Sequence, residues 1–219
     1  MSGIDYQHQN FDTGRRIQPL VSFHPQLTAA TKAALKALPA DLRMDGMQAV
    51  VSADGSRWVF SGASTAADTT DHLVLTPDAG SGRWLRTDQT VPIKLPIGFA
   101  TADAATLFTV PAGFRLQLDP LFWEVTADWT GGSSSAIGIS SADAPHETKG
   151  DLLGGATGNV LADLTAAIGK TQGTKGVSFT TTPPGVVVLE ATDTIRFDRI
   201  TSAFTAGAGF VHAIVHQIG

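Results

Sequence analysis

The feature that most constrains the fold is a pattern that occurs twice between residues 45 and 88. An apolar run leads to a glycine-bearing turn, and the turn leads to a strand that begins Arg-Trp. The first copy ends in residues 57–60 (RWVF) and the second in residues 83–86 (RWLR). Short apolar runs bounded by Gly-containing turns are typical of antiparallel strands. The pattern therefore predicts a small β-meander, and the period of two places Trp58 and Phe60 on one face. We interpret Trp58 and Trp84 as core anchors.

Composition extends this prediction to the whole chain. Only 16% of the 219 residues are charged, and there are 23 glycines and 11 prolines. Low charge with regularly spaced turns predicts an all-β protein. Beyond residue 91 the apolar alternation predicts strands at 93–99, 105–110, 114–126, 135–140, 176–180, 185–189, 193–200 and 209–217. A succession of antiparallel strands of this kind predicts a jelly-roll-like β-sandwich.

The sequence divides into three predicted parts. Residues 1–44 form an extended attachment arm with a short helix, residues 45–90 the small β-meander, and residues 91–219 the sandwich. The alanine-rich segment 27–38 predicts the helix, with Thr28 or Thr31 as its cap and Pro39 as its end. A further short helix is predicted around residues 161–168.

The first 25 residues are polar and show neither the period of a strand nor that of a helix. Isolated aromatic and basic side chains are the candidate anchors of this segment. They are Tyr6, Phe11, Arg15, Arg16 and Phe23. We predict that this arm lies on the surface of a partner; the alternative is that it packs against its own domain.

Two further groups are candidates for contact between copies of the chain. Leu27, Leu35 and Leu38 form a narrow apolar stripe on the predicted helix. His212 and His216 share one face of the last strand, but at four residues' separation they lie about 13 Å apart. One Zn²⁺ ion needs its ligands at about 2 Å, so one chain cannot join both histidines on a single metal. An oligomer interface or a solvent-facing position is the favoured interpretation.

Other polar groups are candidate sites, but their positions favour exposure to solvent over catalysis or binding. The loop at 141–147 could bind a metal or a sugar, and two acidic pairs could suggest glycoside hydrolysis. These candidates are Asp143, His146 and Glu147 in the loop, and the pairs Asp119/Glu124 and Asp193/Asp198. No cleft signature brackets either acidic pair. We expect no binding or catalysis from these groups.

The sequence therefore predicts no enzyme, no cofactor and no metal site. There is no Gly-x-Ser-x-Gly motif with suitable partners, and the glycines at 80 and 82 lack the helix and lysine of a phosphate loop. The absence of cysteine removes thiol chemistry. A net charge of -5 argues against coating nucleic acid. No signal-peptide core and no membrane-spanning run is present in the sequence.

The duplicated pattern resembles a module of tailed-bacteriophage virion proteins. The similarity rests on residues 45–51 (DGMQAVV), 55–60 (GSRWVF) and 75–86, which end Gly-Arg-Trp-Leu-Arg, and covers about residues 30–88. Such modules occur in tail-fibre, spike and head-decoration proteins, as scaffolds between an attachment arm and a distal domain. The resemblance implies a homotrimer that is assembled in the host cytoplasm, resides in the virion and contacts other phage structural proteins. It carries over no catalytic residue.

Three functions follow as hypotheses. The first is a capsid decoration or cement protein, or the base of a head fibre, bound by its arm to the major capsid protein. The second is a tail-fibre or receptor-binding component that recognises host glycan through loops near residues 129–135 or 142–149. The third is a β-sandwich enzyme or lectin unrelated to phage.

Overall fold

A computed structural model describes residues 26–130, 137–143, 146–154, 171–172, 176–180, 186–199 and 204–218. The protein is all-β, as the sequence predicts. Its described strands are β1 (Gln26–Ala29), β2 (Gln48–Val51), β3 (Arg57–Ser61), β4 (Val74–Leu75), β5 (Arg83–Arg86), β6 (Thr90–Gly98), β7 (Ala105–Thr109), β8 (Leu116–Leu118), β9 (Phe122–Thr130), β10 (Ile137–Ser141), β11 (Thr171–Gln172), β12 (Val187–Leu189), β13 (Thr194–Arg199) and β14 (Ala206–Gln217). The described helices are α1 (Lys32–Lys36), α2 (Val177–Thr180) and a 3₁₀ turn at Ala40–Leu42.

The Arg-Trp repeats form a small sheet in the order β1-β2-β3-β5-β4. The two Arg-Trp strands are direct neighbours, with Phe60 opposite Trp84 and Trp58 opposite Arg86. Strand β4 lies outside β5, so the strand order is not that of a simple meander. The edge strand β1 runs parallel to β2 and pairs Gln26 with Gln48.

The helix predicted at residues 27–38 is shorter than expected. Residues 26–29 form β1, and α1 begins only at Lys32. The hydroxyl of Thr31 accepts a hydrogen bond from the backbone N–H of Ala34 at 3.1 Å, which identifies Thr31 as the cap. Backbone pairing with β2 outweighs the helix propensity of the alanines, because propensity is weak against tertiary contacts.

One face of the small sheet forms a core of its own beneath α1. Trp58, Trp84 and Leu35 are almost completely buried there, and the rings of Phe60 and Trp84 lie 5.2 Å apart in a tilted arrangement. The interpretation of the two tryptophans as core anchors is confirmed. Burial alternates along β3 as the period of two predicts.

The remaining strands form a sandwich of two antiparallel sheets around a second core. A three-stranded sheet has the order β10-β13-β7, and a larger sheet is organised on β14. Strand β14 pairs with β6 along one edge, and with β9 and then β8 along the other. Strands β11 and β12 extend β9 and β8 outward. Inward side chains from both sheets, such as Trp123 and Phe197, belong to one buried cluster.

Three local predictions within the sandwich need correction. The predicted strand at 114–126 is two strands, β8 and β9, interrupted around Pro120, which cannot donate to a ladder. The predicted strand at 176–180 is a turn of helix, because Gly176 packs directly on the backbone of Asp151 and the N–H of Ser178 donates to the Asp151 carbonyl at 3.0 Å. The first strand of the sandwich begins at Thr90 and not at residue 93. The helix predicted at 161–168 lies outside the described residues.

The small sheet and the sandwich are packed against each other. Leu73 and Val74 from the small sheet's region belong to the buried cluster of the sandwich, and Leu85 packs against it. The side-chain amide of Gln217 at the end of β14 donates to the carbonyl of Asp88 at 2.7 Å. The small sheet therefore has α1 on one face and the sandwich on the other.

Candidate interaction surface

The larger sheet presents a mixed aromatic, prolyl and charged face to solvent. Along β6, β9 and β14 every second side chain points away from the core, since successive side chains of a strand alternate between faces. We call this surface the outer face. It comprises Thr90, Pro92, Lys94, Pro96, Phe122, Glu124, Phe210, His212, Ile214 and His216.

The centre of the outer face is a polar network built across three strands. Glu124 Oε2 accepts from Lys94 Nζ at 2.8 Å and from His212 Nε2 at 2.6 Å. Hydrogen bonds from Lys94 and then His212 lower the pKa of the Glu124 carboxyl. This carboxylate is therefore ionised throughout the neutral range and holds both partners in place.

Aromatic rings border this network at both ends. The ammonium group of Lys94 lies 4.0 Å from the ring centre of Phe210, within cation–π range. The imidazole of His212 stacks on Phe122 at 4.9 Å with an angle of 3° between the planes. The charged groups of the central network are thus bonded to one another and flanked by apolar rings.

The second histidine is held by a different carboxylate. His216 Nε2 donates to Asp119 Oδ2 at 3.0 Å, and its Nδ1 lies 3.1 Å from the hydroxyl of Thr90. Asp119 and Glu124 are one of the acidic pairs considered for glycoside chemistry. Asp119 is bonded to His216 and Glu124 to His212, so the two carboxylates do not act on one site. Within the described residues no group of three or more His, Asp or Glu side chains is arranged to hold a metal ion.

A groove of about 460 Å³ lies where the outer face meets the small sheet. Its lining includes Lys32, His72, Arg86, Phe122 and Ile214. Burial, with help from Lys32 and Arg86, lowers the pKa of His72 to about 4. His72 is consequently neutral at physiological pH.

The charged residues of the groove are also paired. Lys32 Nζ lies 3.2 Å from the Asp54 carboxylate, and Arg86 Nε lies 2.7 Å from that of Asp88. Among the described residues that line the groove, the ion pairs and the neutral histidine leave no unpaired charge to attract an ionic ligand. It can offer an aromatic ring edge and apolar surface.

The acidic pair Asp193/Asp198 is divided between two structural roles. Asp193 accepts a hydrogen bond from the backbone N–H of Glu190 at 2.6 Å and closes the turn before β13. Asp198 is 2% exposed and accepts from the hydroxyl of Ser140 at 2.9 Å and from the N–H of Gly150 at 3.0 Å. Asp198 thus fastens the loop after β10 to the sheet.

The loop at 141–147 contains a serine–histidine contact that the sequence did not reveal. His146 Nδ1 lies 2.8 Å from the hydroxyl of Ser178, a geometry in which a base can activate a nucleophile. Among the described residues no carboxylate is bonded to the other ring nitrogen of His146. The N–H of Ser178 is bonded to Asp151, so it is not free to stabilise an oxyanion. The contact anchors α2 to the loop.

The sequence-derived candidates fall into three groups. Tyr6, Phe11, Arg15, Arg16 and Phe23 lie outside the described residues. A second group belongs to the small sheet: Leu35 is completely buried in the core of that sheet, while Leu27 and Leu38 are partly buried beside it.

The third group is the histidine pair, and His212 and His216 lie on the outer face. A contact between copies through Leu27, Leu38 and these histidines stays a prediction. Leu35 has no exposed surface to contribute to it.

Sequence reasoning placed the two histidines on one face but missed the surface around them. Lys94, Phe122 and Phe210 come from three strands, and only the cross-strand register brings them onto the same face. The alternation of β6, in which Thr90, Pro92, Lys94 and Pro96 share a face, was the available signal. Among the described residues no helix has the length and apolar character needed to cross a membrane.

Comparisons with known proteins add little to this geometry. No protein-family model and no curated protein matches the sequence. Among solved structures, a chain of the cyanophage Pam1 capsid asymmetric unit is similar over 71% of this chain and 100% of its own length, at 17% identity and a TM-score of 0.37. A likeness of that size supports no conclusion on fold or function.

Proposed function

We propose that this chain is a non-enzymatic structural protein of a tailed-bacteriophage virion. Within that class we propose a capsid decoration or cement protein, or the base of a head fibre. The observation that carries the proposal is the coherence of the region that resembles virion modules. Its two Arg-Trp strands pair with each other, share one core with α1 and pack against the sandwich. The resembling residues thus fold together and pack against the sandwich, which supports the proposed scaffold role.

The hydrogen bonding of the polar side chains on the outer face supports a binding role over a catalytic one. On the outer face Glu124, His212 and His216 are joined in ion pairs and hydrogen bonds that are internal to the chain, and in the groove Lys32 and Arg86 are each paired with a carboxylate. Such groups stabilise a rigid body and leave no activated base or nucleophile. A rigid body that bridges neighbouring shell subunits stabilises them by adding buried surface.

The proposed attachment runs through residues 1–25, which precede the edge strand β1. We propose that Tyr6, Phe11, Arg15, Arg16 and Phe23 contact the outer capsid shell, with the major capsid protein as partner. The copies are proposed to form a homotrimer that is assembled in the host cytoplasm and resides in the virion.

Co-sedimentation with virions tests the attachment. The full chain and a variant lacking residues 1–25 are each mixed with particles from which the native protein has been stripped. We expect the full chain to pellet with the particles and the shortened chain to stay in solution. A Phe11→Ala/Phe23→Ala variant distinguishes aromatic anchoring from a requirement for chain length, and Arg15→Gln/Arg16→Gln tests the charges. Equal pelleting of the full and shortened chains would show that the arm is not the attachment.

A second proposal, recognition of host surface glycan by a tail-fibre component, is favoured by one observation. Phe122 lines a groove beside Lys94 and His212, and an aromatic ring next to polar groups suits a sugar. The loops first predicted for this role fit less well, because Trp129 is 1% exposed and Lys149 is bonded to Asp103. A glycan array probed with the full chain and with Phe122→Ala tests the groove. Binding that Phe122→Ala abolishes would support this proposal, and an array without signal would exclude it.

A further inference from the structure

Strand β6 forms a long edge of the larger sheet among the described strands. Strand β6 has nine residues and pairs only with β14. The opposite side of the sheet ends in β11 and β12, which have two and three residues. A long edge strand normally presents a row of free N–H and C=O groups that can pair with a strand of another molecule. Strand β6 is thus a place where sheet extension would be expected.

The hydrogen bonds at the two ends of β6 show which backbone groups face that edge. Gln217 N–H donates to the carbonyl of Gln89 at 2.8 Å, and Phe99 N–H donates to the carbonyl of Gly207 at 3.0 Å. The register between β6 and β14 is regular from Thr90 to Gly98. Because the direction of backbone groups alternates along a strand, the odd-numbered residues of β6 bond to β14. The even-numbered residues direct their backbone groups to the free edge.

Both prolines of β6 occupy even positions. Pro92 and Pro96 have no N–H. Because even positions do not bond to β14, the prolines remove no hydrogen bond between β6 and β14, but they remove two donors from the free edge. Gly98 N–H, the next donor on that side, is bonded to the hydroxyl of Thr101 at 2.9 Å. Only Thr90 and Lys94 keep an outward N–H, while the carbonyls of residues 90, 92, 94 and 96 remain. Strand addition needs alternating donors and acceptors. This edge has four acceptors but only two donors, so it is poorly suited to pair with another strand.

We propose that the free edge of β6 is closed to strand addition. Neither a second copy of this chain nor an extended segment of a partner extends the larger sheet at β6. This inference holds for any function of the chain and restricts how copies meet in an oligomer.

The test restores the missing donors in the full chain. A Pro92→Thr/Pro96→Thr variant keeps the ladder with β14 and completes the outward row of N–H groups. Sedimentation velocity at increasing concentration should show its weight-average mass rising at least about twofold above that of the wild-type chain. A Pro120→Thr variant, which changes a proline in the turn between β8 and β9, is the matched control and should behave as wild type.

A third variant separates strand pairing from general surface adhesion. Adding Lys94→Pro to the double variant removes the central outward donor and interrupts the restored row, and the mass should fall below that of the double variant. The proposal is overturned if the folded double variant has the mass distribution of wild type, or if the triple variant associates as strongly as the double. Far-ultraviolet circular dichroism verifies folding. If the threonine pair does not fold, the Pro92→Ala/Pro96→Ala pair restores the same N–H groups and decides the question.

Discussion

At the scale of single residues, the two tryptophans of the repeat are equally buried but differ in hydrogen bonding. Trp58 Nε1 donates to the hydroxyl of Ser56 at 2.8 Å, whereas Trp84 Nε1 has no hydrogen-bond partner among the described residues. Replacement by phenylalanine removes a similar volume at both sites. We therefore expect Trp58→Phe to lower the free energy of unfolding by about 1 kcal/mol more than Trp84→Phe. Urea unfolding of both variants measures the difference, and equal or reversed costs would contradict it.

Asp198 provides a pH-dependent prediction. Burial raises the pKa of its carboxyl above the ordinary value of 3.8. The folded state therefore binds this proton more tightly than the unfolded state, and the contribution of Asp198 to stability declines as pH rises from 3.8 through the raised pKa. Asp198→Asn removes that titration and can keep both hydrogen bonds, because the Ser140 hydroxyl can accept as well as donate.

The difference between Asp198→Asn and wild type isolates this one group. We expect the variant's stability relative to wild type to increase as pH rises from about 3 to about 7. Carboxyls with lowered pKa values, such as Asp103 and Glu124, titrate in both proteins and cancel. Urea unfolding at a series of pH values measures the difference. A difference that does not change with pH would show that the Asp198 carboxyl is not perturbed by the fold.

Residue types predict the burial of the tryptophans but not that of Asp198. Tryptophans at equivalent places in two similar strands predict core anchors, because large rings in a small sheet must be covered. The burial of Asp198 was not predictable. The two groups that donate to its carboxylate, Ser140 and Gly150, are distant from it in sequence and reach it only through the pairing of β10 with β13. A local pattern cannot distinguish a solvated aspartate from one that fastens a loop.

At the scale of elements, β14 depends on a glycine that no other residue can replace. Gly207 has a φ of +134°, and a Cβ placed there would lie 2.4 Å from the ring of Trp129. The ring cannot retreat, because it is buried and packs edge-on against Phe204 at 5.1 Å. Gly207→Ala should lower the free energy of unfolding by more than about 3 kcal/mol.

The matched control for this prediction is Gly113→Ala. Gly113 also has a positive φ, +85°, but nothing lies within 4 Å of the added carbon. Only backbone strain remains, and the expected cost is about 1 kcal/mol. Thermal unfolding of the two variants gives the comparison. Similar costs at the two sites would mean that the contact between Gly207 and Trp129 is not rigid.

Elements with strong alternation were predictable, and those set by distant contacts were not. The pattern at 83–86 or 194–199 is enough to predict a strand. The sequence predicts a helix where β1 forms, because the alanines that follow favour a helix and the parallel pairing with β2 leaves no local pattern. It predicts a strand where α2 forms, because α2 is supported by the backbone of Asp151. In both cases a partner remote in sequence decides the local structure.

At the scale of the whole molecule, the small sheet and the sandwich are joined by packing contacts and hydrogen bonds as well as by the chain between them. Their junction contains apolar contacts from Leu85 and the hydrogen bonds of Gln217 to the carbonyls of Arg86 and Asp88. These contacts join the small sheet and the sandwich into one packed body. The class of fold was predictable from composition and turns, whereas the junction was not, because it depends on the packing of completed sheets.

We propose that this body decorates the capsid of a tailed phage. The most direct measurement is electron microscopy of virions that carry this chain with a gold-labelled tag at its C-terminus. We expect the label to lie in multiple regularly spaced positions on the head. Label confined to the tail tip would contradict a decoration role in favour of a fibre, and virions without label would contradict a virion structural protein altogether.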